Sequence, residues 1–549
     1  MIAPAANANI ARYLGLMATS APTTAALKIP RGRTAAGDID YLTLTFAELA
    51  AEVDAWQKKL THAGIQPGDR TLVMVRQGLP LIAAAFALFS LGAVPVVIDP
   101  GMGLKNFLAC VERSRPRALV GLPLARLISH LCRRAFATVK IRVPASGSLT
   151  ARLTLPGAQR SAPGASLVQS HATDLAAILF TSGSTGTPKG VVYTHGHFDA
   201  QVRLIRDTYD IRPGEVDLPL LPIFALFNPA LGLTTIVPEI DPKRPAALDP
   251  AAIVQAIRQE NITTSFGSPT LWKKIGDYCI AQKITLPTLR RVLCAGAPVP
   301  ASLWNASRVF LTQGQLHSPY GATEALPLAS VSAAEIATAR GLGACVGRPA
   351  PEITVKIIAP TDAPLARLAD AHELPAGAIG EIIAAGPVVT DAYDALPAAS
   401  ALAKISSDEG TYHRLGDCGT LDAEGRLWFC GRKAERVITA QGILYPEPCE
   451  QIFRTHPRAN RCALIGLGDA PEQLPAIVIE TTVRTSDEAR ALARELRALA
   501  RAQPATAAIQ RFYFHSAFPV DVRPNAKIHR LTLTRWAATA KGYESDMPS

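Results

Sequence analysis

The stretch Thr181-Ser-Gly-Ser-Thr-Gly-Thr-Pro-Lys-Gly190 follows directly on Ala176–Phe180, an apolar run that reads as a buried strand. Its glycines, Gly183 and Gly186, let the backbone turn tightly and aim several N–H groups at one anion. The hydroxyls of Thr181, Ser182, Ser184 and Thr185 add donors, and Lys189 adds a positive charge. A flexible Ser/Gly linker would not follow a strand and end in Pro-Lys-Gly before more apolar residues. Nor is this the nucleoside-triphosphate loop G-x-x-x-x-G-K-[ST], because Gly190 stands where that loop places a hydroxyl for magnesium. A strand feeding a phosphate-type loop and then further strand text predicts an α/β fold.

Outward from the loop the same alternation continues. A helix is expected from Thr45-Phe-Ala-Glu-Leu49 to about Ala63, and strands at Thr71–Val75, Thr263–Phe266 and Arg291–Ala295. Residues 145–170, rich in Ser, Pro, Gly and Ala, read as an exposed connection. Leu79–Ile98 is almost wholly apolar and long enough to span a bilayer, but Pro80, Gly92 and Pro95 interrupt it. It is expected to be a buried helix followed by a strand, so no transmembrane segment is predicted. After Gly431-Arg432 the order strand, helix, strand, strand, helix, strand (Arg436–Thr439, Pro446–Thr455, Cys462–Ile465, Ala476–Thr481, Asp487–Ala502, Arg511–His515) precedes a basic tail. The chain therefore divides into a large α/β body of several subdomains, residues 1–431, and a small α+β lid, residues 432–549.

Composition narrows the function. Of 549 residues, 48% are hydrophobic and 18% charged, which excludes a mainly disordered chain. Lysine plus arginine exceeds aspartate plus glutamate by 56 − 45 = +11. The excess reads as diffuse, with no block of five or six like charges, so nucleic acid is not expected as a partner. Nine cysteines, an odd number with no C-x-x-C pair, suggest neither a disulfide framework nor a zinc site and fit a reducing cytoplasm. The N-terminus lacks the pattern of a signal peptide.

Further motifs resemble those of the acyl-adenylate-forming enzymes, a superfamily that includes acyl-CoA synthetases, luciferases and peptide-synthetase adenylation domains. Thr181–Gly190 resembles their phosphate loop, and Gly296-Ala297-Pro298 the segment lining the adenine pocket. Tyr320-Gly321-Ala-Thr323-Glu324 is similar to their signature. The resemblance implies that Tyr320 stacks on adenine, Thr323 contacts the α-phosphate and Glu324 helps hold Mg2+. It also implies that Asp417, in Leu415-Gly-Asp-Cys418, and Arg432 bind the ribose, and that Lys527, in Pro524-Asn-Ala-Lys-Ile528, is the catalytic lysine. ATP is the implied cofactor. These residues belong together chemically, since attack of a carboxylate on the α-phosphorus concentrates negative charge that Lys527, the loop donors and magnesium can stabilise.

The wording of Pro222-Ile-Phe224-Ala225-Leu-Phe227-Asn-Pro229, Thr264-Ser-Phe266-Gly-Ser-Pro269 and Asp521-Val-Arg-Pro-Asn-Ala-Lys527 resembles most the olefin-biosynthesis β-lactone synthetases. That resemblance implies activation of a 2-alkyl-3-hydroxy fatty acid, whose own hydroxyl then displaces AMP and closes a β-lactone. It also suggests association with other olefin-pathway enzymes. Phe224, Phe227 and Phe266 are expected in the acyl pocket, where small Ala225 stands at a position often occupied by His or an aromatic residue. His195, His197 and His317 are candidate bases for ring closure. At the expected lid hinge, Ala434 or Glu435 replaces the usual Asp or Lys, and Gly442 is displaced by one residue. A long-chain acyl-CoA or acyl-carrier-protein ligase is the alternative enzyme, and a non-catalytic nucleotide-binding protein the alternative of another class.

Overall fold

The computed structural model describes residues 7–76, 78–145, 167–181, 188–241, 244, 247–459, 461–519 and 528–544. Four sheets organise them, the smallest a two-stranded ribbon of Val437–Thr439 and Gly442–Leu444. The first has six strands in the order Ile141–Pro144, Ala118–Gly121, Arg70–Met74, Val94–Ile98, Leu175–Thr181 and Lys189–Thr194. All neighbours are parallel except the last pair, a hairpin that brings Thr181 opposite Lys189. Parallel strands need crossovers, and the helices Leu79–Ser90, Leu104–Ser114 and Pro123–Leu131 supply them. The apolar stretch 79–98 is therefore a helix buried along nearly its whole length, then a turn, then a strand. Among the described residues, no helix is long and apolar enough to cross a membrane.

The second sheet has fourteen strands, with a parallel run Thr234–Ile236, Val216–Pro219, Thr264–Gly267, Arg291–Cys294 and Gln315–Ala322 near one end. It then turns antiparallel through Ala325–Ser332, Ala344–Pro349, Leu427–Arg432, Gly410–Leu421, Gly380–Ala385 and Thr354–Ile358. The change of direction between Gln315–Ala322 and Ala325–Ser332 is made by the Tyr320–Glu324 segment. Gly321 is needed in that turn: a Cβ there would lie 2.5 Å from the Ala325 carbonyl oxygen. The helix Phe46–His62 starts with a capping box between Thr45 and Glu48, as the Thr-Phe-Ala-Glu text predicts.

The C-terminal sheet pairs Arg461–Leu467, Leu474–Glu480, Arg511–His515 and Tyr543–Glu544. Helices Pro446–Phe453 and Ser486–Arg501 cover one face through Phe453, Leu464, Leu492, Leu496 and Phe512. On the other face, Ile465, Val478, Phe518 and Leu533 form a second core beneath the helix Arg530–Ala537. This helix lies in what reads in the sequence as a basic tail, because it is short, buries only Leu533 and Ala537, and starts without a side-chain cap. All nine cysteines are free; eight are buried and Cys132 is half-buried.

Candidate active site

The long strand Gly410–Leu421 and its neighbour Leu427–Arg432 place Asp417 and Arg432 as direct cross-strand partners. Their side chains meet at 2.8 Å, Arg432 Nη1 to Asp417 Oδ1. The Tyr320 hydroxyl donates to Asp417 Oδ2 at 2.7 Å. Three residues from three motifs, separated by about a hundred positions, thus form one cluster. Burial and the neighbouring Asp417 charge hold the Tyr320 phenol well above its usual range, so it stays a donor. The adenine-type segment begins just past the strand Arg291–Cys294, where Gly296 takes φ +93° and lets the chain turn outward. Ala297 is half-buried, and Gly296 and Pro298 are exposed.

Thr323 and Glu324 are clamped from beneath by residues whose role the motifs did not disclose. The Tyr193 hydroxyl donates to the Thr323 carbonyl. The Glu324 carbonyl accepts from Thr390 N–H at 2.9 Å and from Thr390 Oγ1 at 3.1 Å. Lys404 Nζ in turn donates to the Thr390 carbonyl and to its Oγ1. The Glu324 side chain is fixed separately, Oε1 accepting from the Tyr393 hydroxyl at 2.7 Å. Lys189 Nζ lies 4.7 Å from the centre of the same Tyr393 ring. A single tyrosine therefore joins the lysine of the phosphate loop to the carboxylate of the signature. Burial pulls the Lys404 ammonium down to about 8, against the attraction of Glu324 and Asp391. A lone Lys ending the small-residue stretch Pro397–Ala403 was a signal for such a role; Tyr193, Thr390 and Tyr393 carried none.

The expected acyl wall takes shape around Pro222–Phe227, a short 3₁₀ segment between the strand Val216–Pro219 and the helix Asn228–Leu231. Ala225 is buried in one apolar cluster with Tyr193, Phe198, half-buried Phe227 and half-buried Phe266. Phe198 is its centre, stacked on Tyr193 at 4.9 Å and tilted against Phe227 at 5.9 Å. The segment is pinned at its end by Asn228, whose Nδ2 donates to Asp217 Oδ2 at 2.7 Å and Thr235 Oγ1 at 2.9 Å. Asp217 is fully enclosed, and burial pushes its carboxyl up to about 7. Neither Phe198 nor the Asp217–Asn228 pair was evident in the sequence.

The three histidines have their own structural work. His195 Nδ1 accepts from the Ile10 N–H at 3.2 Å, and burial pulls its imidazole down to about 4. His197 Nδ1 accepts from the Thr194 N–H at 3.0 Å, closing the cap of the helix His195–Tyr209. His317 packs edge-on against Tyr209, also drawn down to about 4 by burial. At the expected hinge, Lys433–Glu435 forms one 3₁₀ turn. Lys433 Nζ reaches Glu381 Oε1 at 3.2 Å, and Glu435 pairs with Arg530 at 3.0 Å, so this turn is tied to the large sheet and to the lid helix together. Ser182, Gly183, Ser184, Thr185, Gly186 and Lys527 lie outside the described residues, as do the side chains of Thr181 and Phe224.

Glu324 offers one oxygen held by Tyr393 and a second, Oε2, with no hydrogen bond or ion pair among the described residues. Magnesium bound through phosphates keeps several waters and needs only one or two protein carboxylates, so the residues present fit this ion. No cluster of three or more His, Cys, Asp or Glu side chains able to cage a metal exists among the described residues.

Residues 23–394 match the family model of AMP-binding enzymes. The chain is 44% identical over 545 residues to an olefin beta-lactone synthetase of Xanthomonas campestris pv. campestris, covering 96% of this chain and 97% of the relative. An olefin beta-lactone synthetase of Stenotrophomonas maltophilia is likewise 44% identical, over 96% of this chain and 98% of its own. In fold, the chain is similar to ATP-bound MatB from Rhodopseudomonas palustris, with a TM-score of 0.76, 22% identity and coverage of 97% and 99%.

Proposed function

The chain belongs to the family of AMP-binding enzymes, and from that premise we propose that it is an ATP-dependent β-lactone synthetase acting on a 2-alkyl-3-hydroxy fatty acid. The observation that carries this reading is the 44% identity, sustained over 96% of the chain, to two olefin beta-lactone synthetases. The cluster of Tyr320, Asp417 and Arg432, with the clamped Thr323–Glu324 turn beside it, supports the nucleotide half of the reaction.

In the first step a carboxylate oxygen of the acid attacks the α-phosphorus of ATP; the new P–O bond forms as the α–β bridging bond breaks and pyrophosphate departs. Asp417 and Arg432 hold the ribose, Tyr320 covers the adenine, and Thr323 donates toward the α-phosphate. Lys189 with the loop hydroxyls of Thr181, Ser182, Ser184 and Thr185 binds the departing phosphates, and Lys527 stabilises the charge that develops between acid and nucleotide. Held by Glu324, magnesium would neutralise phosphate charge. In the second step the β-hydroxyl oxygen attacks the activated carbonyl, a four-membered C–O ring closes, AMP leaves and the hydroxyl proton is released. The nucleophile is already attached to the acyl group, so proximity replaces a second substrate and helps offset ring strain. Closure of the C-terminal lid would keep water from the acyl-AMP. A cytoplasmic location and association with other enzymes of the same biosynthesis are part of this proposal, supported by resemblance.

Incubating the protein with ATP, magnesium and a 2-alkyl-3-hydroxy acid, with and without CoA, tests the reading. A neutral β-lactone, AMP and pyrophosphate formed without CoA are expected. A thioester formed only when CoA is present would overturn it.

A further inference from the structure

The helices Leu104–Ser114 and Pro123–Leu131 lie on one face of the six-stranded sheet, in a core shared by Phe107, Cys110, Val111 and Phe136 with Ile128 packed against it. The second helix turns Ala125 and Ser129 inward. Outward it presents Leu124, Leu127 and Leu131, which are 67%, 55% and 73% exposed. Their spacing of three and four residues makes one continuous apolar stripe. Single exposed leucines are ordinary on protein surfaces; three in register on a nine-residue helix are not.

The charge around this stripe is one-sided. Residues 104–142 hold nine Lys and Arg against Glu112 alone, which is +8 of the chain's +11. No run of five or six like charges marks it, yet within the chain the excess is concentrated in this one segment and is not diffuse. Arg134 reaches Glu112 at 3.3 Å, joining the segment after one helix to the other helix. Arg113, Arg117 and Arg142 are engaged with Pro188, Asp69 and Ser129. Lys105, Arg115, Arg133 and Lys140 are exposed and have no side-chain hydrogen bond or ion pair among the described residues.

We propose that this face docks on an anionic lipid bilayer, with Leu124, Leu127 and Leu131 entering the interfacial layer and Lys105, Arg115, Arg133 and Lys140 meeting the headgroups. An apolar stripe bordered by basic side chains is the composition that binds such a surface. A nucleic acid would meet the same charges but has no use for the leucines. A protein interface of ordinary size requires a broader apolar core than one helical stripe. Docking would also bear on the reaction site, because Arg113 of the same layer donates at 2.8 Å to the carbonyl of Pro188, at the exit of the phosphate loop.

Vesicle flotation of the full chain, without substrate, tests this. Vesicles of phosphatidylcholine with about one-third phosphatidylglycerol should bind it, and phosphatidylcholine alone should not. Binding should weaken steeply at roughly tenfold higher salt. Replacing the stripe (Leu124→Ser, Leu127→Ser, Leu131→Ser) should lower the partition coefficient roughly 100-fold. Reversing Lys105, Arg115, Arg133 and Lys140 to Glu should lower it by at least about 100-fold. Both variants should release pyrophosphate from ATP on detergent-dispersed acid at the unsubstituted rate, showing that they are folded. Failure of the unsubstituted chain to bind anionic vesicles, or equal binding by the leucine variant, would overturn the proposal. So would a dimer that only the leucine variant dissociates, since the stripe would then belong to a second copy.

Discussion

The two ends of the site are held in opposite ways. At the proposed nucleotide end the candidate groups are polar and each is fixed by another polar group: Asp417 by Arg432 and Tyr320, Glu324 by Tyr393, the Glu324 carbonyl by Thr390. At the acyl end the wall is apolar, and the segment carrying Ala225 is located by aromatic packing on Phe198 and by a single buried pair, Asp217–Asn228. Charge matters at both ends but with opposite sign. Asp417 faces a guanidinium that stabilises its anion, whereas Asp217 makes no ion pair among the described residues and burial, outweighing Asn228 and Arg291, pushes it toward neutrality. The first arrangement suits a fixed polyanionic ligand; the second can change the shape of its pocket without disturbing the chemistry.

If the nucleotide end is built for charge, removing a charge there should be the most damaging change in the molecule. Lys527→Ala should slow acid-dependent AMP formation by about 1000-fold with little change in melting temperature, read by pyrophosphate release and calorimetry. Unchanged AMP formation would remove Lys527 from the reaction. Next in size, Asp417→Ala should raise the KM for ATP by roughly 30- to 100-fold, because Arg432 and Tyr320 lose their common partner, while the KM for the acid stays put. An equal rise in both constants would mean that Asp417 supports the fold at large and not the ribose.

The same contrast explains what could be read from the sequence. The residues proposed for the nucleotide end sit in short motifs with glycine or a fixed spacing, so Tyr320, Glu324, Asp417 and Arg432 could be singled out one by one. Their assembly was not: the cross-strand pairing of Asp417 with Arg432 arises from a hairpin register, and Tyr320 reaches it only because two distant strands share a sheet. Supporting residues such as Tyr193, Tyr393 and Thr390 bond to backbone or to one carboxylate from remote elements, and no local pattern marks them. Apolar runs bounded by clear turns or polar residues, such as Leu79–Ser90 and Arg511–His515, follow the expected text closely. The helix Arg530–Ala537 did not show itself, since it rests on tertiary packing of Leu533 and Ala537.

Asp217 offers a test of the sign of charge at the acyl end. Its carboxyl titrates near 7 in the folded protein and near 3.9 when unfolded, so between those values the native state binds the extra proton. Stability from this group is therefore fully present below about pH 4 and is lost as pH rises through about 7. A shift of this size is worth up to about 4 kcal/mol, of which roughly half is expected after relaxation around the site. Asp217→Asn keeps an oxygen for Asn228 and cannot titrate. The difference in unfolding free energy between variant and unsubstituted protein should move by about 1.5 kcal/mol in favour of the variant from pH 5 to pH 8, measured by denaturant titration. Parallel pH profiles would show that Asp217 is already ionised and paired.

The smallest effect should be the most selective. Ala225 is buried in the same apolar cluster as Phe198, Phe227 and Tyr193, so a larger side chain can extend only by displacing its packed neighbours or by filling space needed by substrate. With Ala225→Phe, kcat/KM for a 2-alkyl-3-hydroxy acid should fall about tenfold, in line with the cost of overpacking a pocket by one ring. An unbranched 3-hydroxy acid of equal length should lose much less, and the KM for ATP should change little, because Asp417 is held by Arg432 and Tyr320 and not by the side chains of this wall. Equal losses for both acids would assign Ala225 to core packing alone. A selective loss would instead place the branch of the acid against this residue, and would separate the end of the site that reads substrate shape from the end that handles charge.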